Sequence, residues 1–375
     1  MPEEIPLLRR LGLGVLDTTE YESPAGRNDN RVGVTSEGHA VFVKRLDPTR
    51  PDALARFRRA VRFETDVAER GGAAVEVAAH AVSGVIEDGA RRTSRRGAPA
   101  SPRCLGWDEG ELTVVFEWLK EARSGADLAK EGAFGDELAH EAGRVVGSVH
   151  SLPLATPQGT PEDLPPLPPM DFFEALPMAY YTRASGASLE AWGLLQNDGE
   201  LIEGLRELRR EESGAVRTPA HCDLRLDQFL LYEDVLHLCD WEEFRIADPA
   251  RDIGSFVGEW LHRAVLDIPS QDPGMSGPAP QLSHREVVDR GVRELERLRP
   301  KNVAFWEGYR KEASPSDPGL RVRAAAFAGW HLLDRVFAAA EQRPKLNAVD
   351  RAAAGIGRSA VLRPATFAAT LGLED

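Results

Sequence analysis

The stretch HCDLRLDQFLLYEDVLHLCDWEEF, residues 221–244, constrains the fold more than any other. It carries two short apolar runs, FLL and VLHL, around a Tyr-Glu-Asp turn, which is the pattern of a β-hairpin. Asp223, Asp227 and Asp240 bracket those runs. A carboxylate set among strand-forming residues needs a partner or a task, because an unpaired charge away from water is costly. A loop followed by a tight hairpin places such groups on two neighbouring backbones facing one cleft.

The flanking pattern says what surrounds that cleft. Residues 32–45 read as two strands, RVGVT and HAVFVKR, joined by a Ser-Glu-Gly turn. In PDALARFRRAVRFETDVAERGG, Pro51 and Asp52 suit a helix start and Gly71-Gly72 its end. Leu54, Phe57 and Val61 follow helical spacing, and Glu64 continues that stripe at i+3 and i+7. Further strands are predicted at 74–86 and 111–118, around a polar Ser/Pro/Arg loop at 91–103. Beyond 118 the pattern turns helical: Leu138, Ala142, Val145 and Val149 form one face of a helix ending in HSLP. A proline-rich connector at 156–171 and a Pro/Gly/Ser loop at 268–280 interrupt the helices, and no internal repeat or heptad occurs. The expectation is an α+β chain with a small β-rich N-terminal lobe, residues 1–116, and a large helical C-terminal lobe, residues 117–375.

Charge narrows the partners. The net charge is −14, and nearly all of it falls after residue 116: residues 1–116 carry −1 and residues 117–375 carry −13. A nucleic-acid binder usually shows a basic surplus, and RRTSRRGAPASPR at 91–103 is too short to supply one. No nucleic-acid partner is expected. The acidity reads as solubility or as attraction for a cationic substrate. MPEEIPLLRR lacks the basic start and apolar core of a signal peptide, and no apolar run reaches membrane-spanning length. With only three cysteines, Cys104, Cys222 and Cys239, the expectation is a cytoplasmic protein with reduced thiols and no membrane contact.

The spacing within 221–244 matches the few parts that phosphoryl transfer needs. One carboxylate orients the acceptor hydroxyl, and an amide plus a second carboxylate hold magnesium on the nucleotide phosphates. Asp223, Gln228 five residues on and Asp240 twelve further occur in that order. The order His-x-Asp, amide, Asp240-Trp241-Glu242, then Asp248-Pro249-Ala250-Arg251-Asp252 resembles the aminoglycoside phosphotransferase family of the protein-kinase-like fold. That resemblance spans residues 30–260 and implies ATP, or another nucleoside triphosphate, and Mg²⁺ as cofactors. It implies Asp223 as the acceptor-side base, Arg225 beside the γ-phosphate, and Gln228 and Asp240 as metal ligands. Lys44, ending the strand VFVK, would grip the phosphates with Glu64 as its partner. Glu117, Trp118 and Leu119 would lie against the adenine. His221 would hold the loop, with His150 beneath it. Asp248 is read as a helix cap, and Asp252 as a partner of Arg251 or of the loop backbone.

Three positions depart from the family pattern. Gln228 replaces an asparagine, Cys222 stands where many relatives have glycine, and SPAGRNDNRVGVTSEG is not a glycine-rich phosphate loop. Phosphate contact there is assigned to the Asn28-Asp29-Asn30 turn. More narrowly, DLRLDQFL, DWEEF and DPARDIGSFVGEW resemble the kinase components of class V lanthipeptide synthetases and of thioamidated-peptide pathways. Such proteins are implied to phosphorylate Ser and Thr of a precursor peptide before a separate lyase eliminates phosphate. The alternatives are a small-molecule phosphotransferase acting on an aminoglycoside, another antibiotic or a metabolite, and a pseudokinase scaffold.

Overall fold

Strand alternation at residues 40–45 and 113–117 builds a sheet with two different faces. In a computed structural model of the chain, residues 4–17, 19, 27–71, 74–77, 83–87, 99–153, 165–268, 284–313 and 317–374 are described. Seven strands form one antiparallel sheet: β1 (Leu16–Asp17), β2 (Asp29–Thr35), β3 (Ala40–Arg45), β4 (Ala74–Val77), β5 (Ser83–Glu87), β6 (Cys104–Asp108) and β7 (Thr113–Glu117). Their order is β1-β2-β3-β7-β6-β5-β4. Successive side chains point to opposite faces. Val41, Val43 and Val115 therefore pack with Leu7, Leu8 and Leu16 on one face. Val114, Cys104 and Trp107 pack with Phe57 on the other. Helix α1 (Pro6–Arg10) brings Leu7 and Leu8 to the first cluster, and α2 (Ala53–Gly71) brings Phe57 to the second. Lys44, one residue past Val43, shares the α2 face with its register partner Val114.

The remaining strands are β8 (Arg123–Ser124), β9 (Thr218–Ala220), β10 (Phe229–Tyr232), β11 (Val235–Leu238) and β12 (Arg245–Ala247). β10 and β11 are the hairpin read from the sequence. Its two-residue loop, Glu233-Asp234, takes positive φ at both positions, 47° and 62°, the twist that a tight hairpin requires. β8 pairs with β10, followed by the short helix α3 (Gly125–Lys130).

By compactness the chain divides into two units. The first comprises residues 1–133, 151–157 and 227–245, and the second residues 134–150, 158–226 and 246–375. This division differs from a single cut at 116/117. The hairpin groups with the sheet unit through β8 and the Leu238 N–H bond to the Ala100 carbonyl, and the 241–243 turn because α2 packs on it, with Phe63 stacked on Trp241.

The second unit is helical apart from the two-stranded β9–β12 sheet. Its helices are α4 (Asp136–His150), α5 (Met170–Glu174), α6 (Met178–Tyr181), α7 (Gly186–Gln196), α8 (Gly199–Gly214), α9 (Ala250–Asp267), α10 (His284–Ala313), α11 (Leu320–Ala340), α12 (Ala348–Leu362) and α13 (Pro364–Thr370). Glycines let several helices approach backbone to backbone. A Cβ on Gly143 of α4 would lie 1.9 Å from the Phe305 carbonyl oxygen, and one on Gly308 of α10 would lie 2.0 Å from that of His140. Gly193 of α7 and Gly355 of α12 meet nothing within 4 Å. Among the described residues no helix is long and apolar enough to cross a membrane.

These contacts predict opposite effects for one substitution. Gly143→Ala and Gly308→Ala should each destabilise by about 1–3 kcal/mol, because the added methyl forces the backbones apart. Gly193→Ala and Gly355→Ala should be neutral or stabilise by up to about 1 kcal/mol, since alanine favours the helix. Urea unfolding midpoints of the four variants distinguish the two classes.

Candidate active site

In the sheet unit, strand β3 ends by delivering one cation to a group of acids. Lys44 Nζ hydrogen-bonds Asp240 Oδ1 and lies 2.9 Å from Glu242 Oε2. Burial works against the Lys44 ammonium, but Asp240 and Glu242 outweigh it and hold its pKa above the ordinary lysine value. Asp240 follows β11 directly and adopts a left-handed backbone, φ 73° and ψ 55°, before a turn of 3₁₀-helix at Trp241–Glu243. Gln228 faces it across the base of the hairpin. The Cys239 N–H donates to the Gln228 carbonyl at 3.0 Å, and the Gln228 side chain is buried. The hairpin thus brings Gln228, Asp240 and Lys44 to one end of the sheet unit.

Lys44 forms ion pairs with Asp240 and Glu242, and α2 packs beside them. The α2 face turned toward residues 241–243 is Arg56, Arg59 and Phe63, at i, i+3 and i+7. Phe63 stacks on Trp241 with ring centroids 3.5 Å apart. Arg56 hydrogen-bonds Glu242 Oε1, and Arg59 Nε donates to the Glu242 carbonyl at 2.9 Å. Glu64, 1% exposed, is one residue past Phe63, about 100° further round the helix. Its stripe with Phe57 and Val61 packs on the sheet face that Val114 shares with Lys44.

Two further assignments in this unit acquire definite positions. Glu117 N–H donates to the Arg103 carbonyl at 2.8 Å and Trp118 N–H to that of Ala40 at 3.0 Å. Leu119 accepts from Ala122 N–H at 3.0 Å. The amides of Glu117 and Trp118 are therefore committed to the sheet, so adenine contact by those two N–H groups would require them to exchange partners. Asn28, assigned to phosphate contact, donates from Nδ2 to Glu242 Oε2 at 3.0 Å. The loop assigned to 91–103 lies outside the described residues up to 98.

In the helical unit the His221–Asp223 turn is pinned by one buried carboxylate. Asp252, on the first turn of α9, accepts from His221 N–H at 2.6 Å and from Cys222 N–H at 2.8 Å. His150 Nε2 lies 3.1 Å from the same carboxylate, and Tyr309 hydroxyl 3.1 Å from His150 Nδ1. Burial alone would raise the Asp252 pKa. The His150 hydrogen bond and the neighbouring His150 and His221 outweigh it and keep the pKa below the usual carboxylate value. Of the two partners weighed for Asp252, the loop backbone is the one it takes. Asp248, one residue before the N-cap position Pro249, accepts from Ala250 N–H at 3.0 Å and also pairs with Arg323. Asp223 and Arg225 remain partly exposed, 3.9 Å apart. Cys222, where many relatives have glycine, holds φ 65°, the conformation that glycine adopts without cost.

The sequence reading missed several titratable groups. Arg56 was not singled out, and Glu242 was read only as part of the Asp240-Trp241-Glu242 motif. In the helical unit Glu259 and His331 form a pair at 2.7 Å. His262 beside them is pushed from the usual 6.5 to about 4, by burial first and then by His331. No local periodicity marks such pairs, because their partners come from other helices.

The donors present suit a hard divalent cation. Among the described residues no group of three or more His, Cys, Asp or Glu could hold a metal unaided. Mg²⁺ usually takes one or two protein oxygens and completes its shell with phosphates and water. The carboxylate of Asp240 and the amide oxygen of Gln228 fit that requirement.

Three outcomes follow. Asp252→Ala should cost at least about 2 kcal/mol, since buried donors lose a charged acceptor. Cys222→Gly should be neutral or stabilise by up to about 1 kcal/mol, because it relieves a left-handed residue. The unfolded chain protonates His262 near 6.5 and the folded chain near 4. Its contribution is therefore full above about pH 6.5 and is lost as pH falls toward 4. Chemical denaturation of His262→Gln across that window should show a flatter acid limb than the unmodified protein.

No protein-family model matches the chain, and no curated protein matches its sequence. Among solved structures it is similar to a choline/ethanolamine kinase family protein from Mesorhizobium loti, with TM-score 0.52 and 13% identity over 99% of this chain and 96% of that one. An amicoumacin kinase in complex with AMP-PNP, Ca²⁺ and Ami gives TM-score 0.48 and 13% identity over 95% and 92% of the two chains. An aminoglycoside phosphotransferase from Alicyclobacillus acidocaldarius gives 0.45 and 14% over 98% and 96%. The match to the Mesorhizobium loti protein covers nearly all of both chains, and the chain shares its kinase-like α+β fold.

Proposed function

We propose that the protein is a Mg²⁺-dependent phosphotransferase that moves the γ-phosphoryl group of ATP, or of another nucleoside triphosphate, to an acceptor hydroxyl. The observation that carries this reading is the meeting of Lys44, from β3, with Asp240, from the far end of the β10–β11 hairpin. A buried cation and a partly exposed acid held together in this way can supply a phosphate grip and a metal ligand. Asp240 and Gln228 would hold Mg²⁺, which when bound neutralises charge on the phosphates. Lys44 would bind the phosphate oxygens. Asp223 would orient the acceptor hydroxyl and take its proton as the new O–P bond forms and the bond to the nucleoside diphosphate breaks. Arg225, close to Asp223, is assigned to the transferred phosphoryl group. His221 and Asp252 hold the Asp223 turn. The free thiols of Cys104, Cys222 and Cys239 accord with a cytoplasmic location.

The acceptor we favour is Ser or Thr of a precursor peptide in lanthipeptide-type maturation, with a separate lyase removing the phosphate. Support comes from the wording of DLRLDQFL, DWEEF and DPARDIGSFVGEW. A peptide substrate also needs a docking surface away from Asp223, since tethering raises the local concentration of its hydroxyls. The −13 carried by residues 117–375 suits a basic leader. A small-molecule acceptor is the second reading, favoured by the same acidity toward cationic drugs and by the fold shared with a choline/ethanolamine kinase family protein. A catalytically silent scaffold is disfavoured because Lys44, Asp223 and Asp240 are retained together.

Incubation with ATP, Mg²⁺ and each acceptor class, read by intact mass, should show gains of about 80 Da per phosphate on the true acceptor. Asp223→Asn should keep nucleotide binding and lower turnover by roughly 100-fold or more. Asp240→Ala should abolish Mg²⁺-dependent nucleotide binding, while Gln228→Asn should be tolerated. Precursor-peptide binding should survive replacement of its Ser and Thr by Ala and weaken as salt rises. Efficient aminoglycoside phosphorylation with no peptide binding at any ionic strength would select the small-molecule reading.

A further inference from the structure

The side chain of Glu242 is held from three directions. Its Oε2 lies 2.9 Å from Lys44 Nζ and accepts from Asn28 Nδ2 at 3.0 Å. Its Oε1 accepts from Arg56, and its carbonyl from Arg59. Both arginines come from α2, and Arg56 Nε lies 3.2 Å from Glu243 Oε1 as well. Glu242 is 7% exposed against 27% for Asp240. Of the two acids on Lys44, Asp240 is therefore the one that faces solvent and can turn to a cation. Glu242 is locked by its other partners and keeps its place.

We propose that Glu242 is the positioning residue for Lys44, and that Arg56 makes this position depend on α2. The inference rests on the phosphotransferase reading and adds a cation of α2, Arg56, to the network around Lys44. When a metal recruits Asp240, Lys44 keeps Glu242 as its partner and its ammonium stays on the α2 face, aimed at the phosphates. Asn28 ties the turn before β2 to the same carboxylate. A displacement of α2 would pull Arg56 and Glu242 together and so move the lysine.

The test is equilibrium binding of ADP with and without Mg²⁺, on Glu242→Gln, Glu242→Asp and the double variant Arg56→Met/Glu242→Gln. The double variant removes both buried charges, so a stranded arginine cannot unfold it. Glu242→Gln and the double variant should lose about 10-fold or more in ADP affinity, the scale of a charged hydrogen bond, and should lose it without Mg²⁺ too. Glu242→Asp should recover part of the loss. Loss confined to Mg²⁺-containing samples would make Glu242 a metal-side group and overturn the proposal. So would unchanged affinity in the double variant. Each of those results leaves the phosphotransferase reading standing. Failure of the unmodified protein to bind ADP would remove that reading and this inference together.

Discussion

The Lys44 ammonium can be buried in the sheet unit only because two carboxylates meet it there. A buried charge without a partner is strongly unfavourable, and one with a single imperfect partner gains little. Asp240 and Glu242 together outweigh the desolvation of Lys44, and Arg56 in turn balances Glu242. The charges alternate, cation against anion, from β3 through the 240–243 turn to α2. The stacking of Phe63 on Trp241 fixes the distance over which the alternation holds. Remove one member and its neighbours are left as unpaired charges in a nearly dry site, so the network behaves as one element.

The helical unit uses the same device with different groups. One buried carboxylate, Asp252, collects two backbone N–H groups and a histidine, and so sets the path of the chain into Asp223. Both candidate loops also contain a non-glycine residue in the left-handed region, Cys222 and Asp240. Such residues persist where the surroundings over-determine the backbone. The Cys222 N–H bond to Asp252 and the Lys44 bond to Asp240 supply that determination.

Much of this was legible in the sequence where the signal is local. The β2–β3 pair, the β10–β11 hairpin, the start of α2 and the end of α4 all follow from alternation, turn residues and caps. The order Lys44, His221-x-Asp223, Gln228, Asp240 was enough to anticipate the kinase-like fold. Strand β6 was missed because CLGWD lacks clean alternation; it lies in mid-sheet, buried at four of its five positions. The place of Arg56 and Glu242 beside Lys44 was not anticipated, for a different reason. A helical stripe says which residues share a face, not which neighbour that face meets. Glu64 lies on a buried stripe as expected, and the neighbouring face, with Arg56 and Phe63, meets the 240 turn. Paired charges such as Glu259 with His331 come from separate helices and leave no mark on local periodicity.

The account centres on Lys44 and Asp240 as the two halves of a phosphate and metal grip. A crystal structure with Mg²⁺ and a non-hydrolysable ATP analogue tests it directly. The expected result has Mg²⁺ about 2.1 Å from an Asp240 carboxylate oxygen, Lys44 within hydrogen-bond distance of the phosphates, and the Lys44–Glu242 contact retained. A nucleotide bound elsewhere, with the Lys44–Asp240 pair intact and no metal on Asp240, would contradict it.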